Sequence, residues 1–344
     1  MRIGVVGVGK LGEFHTRLLR DISAESKGIQ LSGVFDMNPE RAAEISQKYS
    51  VRCFTSIDEI APDCDAAVIA ATTSAHYRIA KQLLLAGVPL FIEKPITATL
   101  EEADELIRIE QDMNLRIQVG HIERFNPALQ AVEAYIGEPM YIQAERLTGF
   151  SRRVTDVSVV LDLMIHDIDL VLSLIKSDIK RISASGVKVF SNELDMATAR
   201  LEFMNGATAN VTASRLSRSK VRKIRFFGRH PKSYASLDLT TGKSEVFRLV
   251  RPENVSSKNP IKTFATRKIL EQFGEIQESL QGLVIDYVSP EVPKINALKL
   301  ELEHFINTVK TGSPAVVSSV EGRRALMVAG DITREIQNNT AELD

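Results

Sequence analysis

The sequence predicts a two-domain α/β protein. Residues 1–122 read as a doubly wound parallel sheet, and residues 123–344 as an α+β domain with a large, mostly antiparallel, open sheet. Three observations carry this. Up to Val119, short apolar runs alternate with helix-length amphipathic stretches. From about Tyr141 the alternation gives way to one long apolar helical stretch and then to segments of period two. A chain of 344 residues, 44% hydrophobic and 25% charged, is long enough to bury two full cores without disulfides or a structural metal.

The first element is a strand over Arg2–Val6. Gly7-Val8-Gly9-Lys10-Leu11-Gly12 follows, and then a helical pattern through Leu18, Leu19 and Ile22. This is G-x-G-x-x-G between a strand and a helix, the context its mechanism needs. Gly7 permits the tight turn, Gly9 lets backbone approach a pyrophosphate, and Gly12 lets helix and strand pack closely. The helix N-terminus offers unpaired N–H groups and a favourable dipole to phosphates. A second strand, Ile29–Phe35, ends on Asp36, which lies 24 residues after Gly12. That spacing suits the acid that hydrogen-bonds an adenosine ribose, and its charge repels a 2′-phosphate, so NAD is expected over NADP.

Asn38-Pro39 reads as an N-cap and a first-turn proline opening a helix to about Lys48. A buried strand spans Ala66–Ala71, and a helix then runs from Thr72-Thr73 to Ala86, stopped by Gly87. Strands over Val88–Ile92 and Arg116–Val119 flank a helix over Leu100–Met113. Ligands bind such sheets at the carboxyl ends of the strands. Gly7, Gly9, Lys10, Leu11, Gly12, Asp36, Thr72, His76, Glu93 and Lys94 are therefore the cofactor-side candidates. In Glu93-Lys94-Pro95 a lysine stands at a strand end and points a cation into that cleft.

In the second half, a helix is expected over Val157–Ile175. It carries Asp162, His166 and Asp169 at i, i+4 and i+7, on one face. Sheltered ionisable groups are costly unless paired or used. Two readings stand: a core histidine bonded to Asp162, or a catalytic pair. Ala197, Ala199, Leu201 and Phe203 then alternate with polar residues, Asn205-Gly206 signals a hairpin, and Ala207, Ala209, Val211 and Ala213 alternate on the partner strand. The second face of this pair reads as small and polar rather than charged. Ser214–Lys232 holds eight Lys or Arg and no acid. As a strand it divides them between two faces. They form a solvated surface, or some hold an anionic substrate.

Pro252–Pro260 reads as a polar loop, and residues 261–292 as an excursion, part helical. Asn296–Thr311 reads as a helix stopped by Gly312, and Ser318-x-x-Glu321 as a capping box opening a last helix to about Gln337.

The composition also excludes several classes. Lys plus Arg is 43 against 44 Asp plus Glu, a formal net charge of −1, which excludes a general nucleic-acid binder. Cys53 and Cys64 form no C-x-x-C, so neither a disulfide framework nor a cysteine-rich zinc site is expected. His121 and Glu123 lie close in sequence, but no ligand set completes a metal site. No run approaches a membrane span, and the opening residues are too short for a signal core, so a cytoplasmic protein is expected.

The glycine loop, Glu93-Lys94-Pro95, Arg124-Phe125-x-Pro127 and Gly137-x-Pro139, in this order, resemble the glucose–fructose oxidoreductase / inositol dehydrogenase (Gfo/Idh/MocA) family over essentially the whole chain. The resemblance implies an NAD-dependent dehydrogenase acting on a CH–OH of a sugar, with Lys94, Asp162 and His166 handling the proton. His166 or Lys94 would be the base, Lys94 would stabilise developing negative charge, and Asp162 would orient His166 or share the proton. Arg124, Arg152, Arg153, Asp169 and Arg215 are the substrate-side candidates. The resemblance also implies a homodimer or homotetramer through the open sheet. Departures are Thr73-Ser74, where many relatives carry proline, and Val157-Ser158-Val159 and Met164, where common relatives carry glycine. The pocket is therefore not that of a generic inositol dehydrogenase. Gly120–Pro127 and Asp156–Leu170 look most like the UDP-N-acetylglucosamine 3-dehydrogenase branch. This implies oxidation of a sugar 3-hydroxyl to a ketone for a following aminotransferase. The rival readings are a free-polyol or free-sugar dehydrogenase and, from another class, a non-catalytic NAD-binding sensor or scaffold.

Overall fold

The computed structural model describes residues 1–149, 157–255 and 282–341. The chain divides into two units, one of Met1–Phe125 with Ile295–Val328, the other of Asn126–Lys294 with Ala329–Asp344. This corrects the expected boundary. A single cut at 122/123 assigned everything downstream to the second domain, yet the chain returns. The physical reason is apolar. Leu302, Phe305 and Ile306 are buried in one core cluster with Ile3, Val5, Leu19 and Phe91.

In the first unit β1 (Arg2–Val6), β2 (Gln30–Phe35), β3 (Arg52–Cys53), β4 (Ala66–Ile69), β5 (Leu90–Glu93) and β6 (Ile117–Gly120) form a six-stranded sheet in the order β3-β2-β1-β4-β5-β6. Every pairing is parallel. The order reverses between β1 and β4, which opens a crevice at their carboxyl ends. β4, β5 and β6 are buried along their whole length, as strands covered on both faces must be. The connecting helices are α1 (Lys10–Glu25), α2 (Pro39–Tyr49), α3 (Ile60–Asp63), α4 (Thr73–Leu85) and α5 (Leu100–Asp112). Their ends follow local chemistry. The Asn38 side chain accepts from the Glu40 and Arg41 amides with Pro39 in the first turn, and Thr99 and Glu102 form a reciprocal capping box.

The second unit opens with α6 (Pro127–Ile136) and β7 (Pro139–Leu147). A π-helical turn, Val160–Met164, runs into α7 (Ile165–Leu174). Then come β8 (Ile179–Val187), β9 (Met196–Phe203), β10 (Thr208–Ser214), β11 (Val221–Gly228), β12 (Ser233–Asp238), β13 (Ser244–Val250) and β14 (Val284–Val288). The eight-stranded sheet has the order β14-β13-β12-β11-β7-β10-β9-β8. β7 and β10 run parallel and the other pairs antiparallel. One face is the core, with Ile142, Ala199, Leu201, Val211, Phe226 and Val246 almost fully buried. α6 and α7 pack on this unit's sheet. The other face carries an aromatic ladder, Tyr141–Phe227–Tyr234–Phe247–Tyr287, with successive centroids 5.5, 5.1, 6.2 and 4.9 Å apart.

Four local expectations change. The long helix over Val157–Ile175 is a π turn followed by α7. Residues 284–288 of the stretch read as an excursion are the edge strand β14, while 256–281 lie outside the described residues. The small polar face of β9 and β10 also carries a charge pair, Arg200 to Glu202 at 3.2 Å. Finally α8 (Ala297–Thr311) ends at Gly312 as expected, but α9 (Ser319–Ala341) runs beyond Gln337.

Candidate functional site

The glycine loop is shaped by three different constraints. Gly7 has φ +82°, and a Cβ there would lie 2.6 Å from Ala71 backbone. A Cβ on Gly12 would lie 1.8 Å from the Gly7 carbonyl oxygen. A Cβ on Gly9 would meet nothing within 4 Å. Gly9 is the N-cap of α1 and brings no side chain to that helix end. Lys10 and Leu11 form its first turn and are exposed. Asp36, at the end of β2, accepts from the Val8 amide at 2.7 Å through Oδ2 and from the Asn38 amide at 2.9 Å through Oδ1. A cavity of about 330 Å³ lies here, lined by Gly7, Gly9, Phe35, Asp36, Met37, Ala71, Thr72, Ala75 and Ile79 among others.

At the end of β5, Glu93 is buried and its Oε1 lies 2.7 Å from His15 Nε2 of α1. The Lys94 amide donates to Glu93 Oε2 at 3.3 Å, and Lys94 itself is half-buried between two buried neighbours. His76 is also buried. Its Nδ1 faces the Pro95 carbonyl at 2.9 Å and its Nε2 the Ala71 carbonyl at 3.0 Å. Burial lowers its pKa against the opposing pull of those carbonyls. Arg124 donates to Glu321 at 3.2 Å.

In the second unit, Asp162 lies in the π turn and His166 in the first turn of α7, both half-buried. Asp169 is buried. Asp167, beside His166, takes a two-point contact from Arg146 of β7, Nε to Oδ2 at 2.8 Å and Nη2 to Oδ1 at 2.7 Å. Arg215 is buried as well. It donates to Asp195 Oδ1 at 2.8 Å, to the Val157 carbonyl at 2.9 Å and to the Leu194 carbonyl at 2.9 Å. Burial raises the Asp195 carboxyl, but the Phe190 and Val189 amides, the Ser191 hydroxyl and Arg215 outweigh it and hold it far below the usual carboxylate range.

Residues 1–121 match the family model of the oxidoreductase family, NAD-binding Rossmann fold, and residues 129–231 match the GFO/IDH/MocA C-terminal domain. The chain belongs to the GFO/IDH/MocA oxidoreductases. The UDP-N-acetylglucosamine 3-dehydrogenase of Acidithiobacillus ferrooxidans is 37% identical over 96% of this chain and 95% of that protein. Its solved structure superposes with a TM-score of 0.83, at 35% identity, over 98% of both chains. The myo-inositol 2-dehydrogenase of Thermotoga maritima is 24% identical over 95% of this chain and 94% of its own. The scyllo-inositol dehydrogenase of Lactobacillus casei, solved with NAD(H) and scyllo-inositol, shares the fold at a TM-score of 0.75 and 19% identity over 98% of this chain and 97% of that one.

The first unit is the GFO/IDH/MocA NAD-binding domain, and its residues fit the cofactor. The open space over Gly9 would take the pyrophosphate against the α1 N-terminus. Asp36 would hold the adenosine ribose, and the apolar cavity walls the adenine. Bound there, NAD supplies a hydride acceptor. Two of the cofactor-side candidates have partners within the protein. Glu93 is engaged by His15 and the Lys94 amide, so it sets the motif's backbone. His76 lies between the Ala71 carbonyl, just after β4, and the Pro95 carbonyl, and its ring N–H donates to one of them.

On the substrate side, Arg215 is buried with donors on Asp195, on the Ser191 hydroxyl and on backbone carbonyls. Asp169 is buried, and Arg124 is engaged by Glu321. Arg152 and Arg153 lie outside the described residues. The basic stretch divides as a strand must, with Lys223 and Arg225 on the outer face of β11 and Arg222 on the inner one with Ile224 and Phe226. Among the described residues no group of three His, Cys, Asp or Glu is placed to hold a metal, and no helix is long and apolar enough to cross a membrane.

Sequence reasoning missed Arg146, Asp167, Asp195 and His15. One signal existed. Arg146 stands on the inward parity of β7 with Ile142 and Ala144, where a cation must be paired.

Proposed function

We propose that this protein oxidises the 3-hydroxyl of UDP-N-acetylglucosamine to a ketone, with NAD as the hydride acceptor. The observation that carries the proposal is the end-to-end similarity, 37% over 96% of the chain, to an enzyme of that activity. The inositol dehydrogenase compared over a similar span is at 24%. The catalytic residues are Lys94, Asp162 and His166. His166 takes the hydroxyl proton, since an imidazole titrates near neutrality. Lys94 donates to the reacting oxygen and stabilises the charge that develops on it. Asp162 orients His166. By sequence, Arg152 and Arg153 are assigned to the diphosphate. The protein acts in the cytoplasm as a homodimer or homotetramer through the open face of its second sheet, and an aminotransferase consumes the ketone.

The test is NADH formation from NAD with UDP-N-acetylglucosamine, beside free N-acetylglucosamine and myo-inositol, with a ketone trap to draw the equilibrium. NADH is expected with the sugar nucleotide alone, and Lys94→Ala and His166→Ala should each lose about 10²–10⁴-fold in kcat. Turnover of the free polyol instead would place the protein with the inositol dehydrogenases. NAD binding without turnover of any of the three would refute the proposal.

A further inference from the structure

We propose that Arg146 and Asp167 are positioning residues for His166. They fix the rotation of the helix that carries it. The inference rests on the reading of His166 as the proton-handling residue.

The pair is deeply buried, the side chains being 2% and 4% exposed. Its contact is the two-point fork that guanidinium and carboxylate make, and such a fork defines orientation as well as distance. Asp167 directly follows His166, and neighbours on a helix point about 100° apart. Tying Asp167 to β7 therefore turns His166 to a set angle away from the sheet.

The preceding turn is why such a tie matters. Val160–Met164 is π-helical, holding one residue more per turn than an α-helix would. An α-helix over the same stretch would rotate everything after it. Both ends of the turn are anchored. Before it, the Val159 amide donates to the Leu194 carbonyl at 2.9 Å, and Arg215 holds the Val157 carbonyl. After it, Arg146 holds Asp167. The widened turn, with Asp162 inside it, is enclosed between two buried arginines on neighbouring strand ends.

Stability alone does not account for this arrangement. Apolar residues of similar volume commonly replace a buried ion pair without loss, whereas removing one partner strands a charge. What an apolar pair lacks is direction.

The experiment uses the full chain with Arg146→Met and Asp167→Leu combined, so that neither member of the pair is stranded by loss of the other. Arg146→Lys is the companion variant; it keeps the charge but loses the fork. The double variant is expected to fold, to bind NADH as the unsubstituted protein does, and to lose about 10²-fold in kcat, the scale of a misplaced catalytic group. Substrate KM should change far less. Amide exchange in a peptide spanning 157–175 should quicken in both variants. A folded double variant with kcat within about threefold of the unsubstituted protein would overturn the proposal. So would unchanged exchange in that peptide. The unsubstituted protein and His166→Ala are run alongside. If His166→Ala keeps full turnover, or no sugar is turned over at all, the catalytic reading fails, and exchange still decides whether the pair sets the helix.

Discussion

Two glycines of the cofactor loop, three residues apart, should respond in opposite ways to the same added methyl. At Gly12 a Cβ would lie 1.8 Å from the Gly7 carbonyl oxygen. Close carbon–oxygen contacts settle at about 3.3 Å, so the turn or the helix must retreat by about 1.5 Å. The obstacle is backbone, which places the cost near the upper end of overpacking, about 3 kcal/mol, and alanine's better helix propensity returns about 1 kcal/mol. The net loss of about 2 kcal/mol corresponds to about 4–8 °C in the Tm of the NAD-free protein. At Gly9 a Cβ meets nothing within 4 Å, and φ is −60°, which any residue adopts. Alanine there costs at most about 1 kcal/mol as a poorer N-cap. Its methyl enters the space assigned to the pyrophosphate, so NAD affinity should fall at least about tenfold while Tm falls by at most about 2–4 °C. Calorimetry of the NAD-free variants and NADH fluorescence titration read the two effects separately. Gly9→Ala binding NADH as tightly as the unsubstituted protein, or Gly12→Ala with an unchanged Tm, would refute the assignment of these two glycines.

Other outcomes are equally specific. Asp36→Ala removes the acceptor assigned to the ribose and the charge that repels a 2′-phosphate; the ratio of NADP to NAD affinity should rise at least about tenfold in paired titrations. Asp195→Asn should lower Tm most near neutrality. The native carboxyl lies below its unfolded value, so its stabilisation is full above the ordinary carboxylate range and fades as pH falls through it. The gap between the two proteins should therefore narrow below about pH 4, and a gap independent of pH would contradict this. Burial pushes the Cys64 thiol up to about 11. A thiol reagent at neutral pH should therefore label half-buried Cys53 well before Cys64, and equal rates in the folded protein would count against it.

Much of this molecule is local chemistry, and local chemistry is legible in a sequence. Gly12, Asn38 with Pro39, and Gly312 each act within about a turn or two of chain, and each does in the structure what its residue type demands. The parallel sheet follows from buried apolar runs spaced by helix-length stretches, and the hairpin at Asn205-Gly206 from a turn that needs a positive φ, +84° at Gly206. The cofactor class came from a motif whose mechanism is itself local. The tertiary structure decided what depends on partners far apart in the chain. It gave residues 295–328 to the first unit, because Leu302 and Phe305 complete a core begun at Ile3. It committed Arg215 to Asp195, His15 to Glu93 and Arg146 to Asp167, although nothing beside those residues in sequence names a partner. It also put a π turn where the apolar pattern read as one continuous α-helix. Periodicity records which residues are buried, while the added residue in the turn is held by contacts from Leu194, Arg215 and Arg146, which lie elsewhere in the chain.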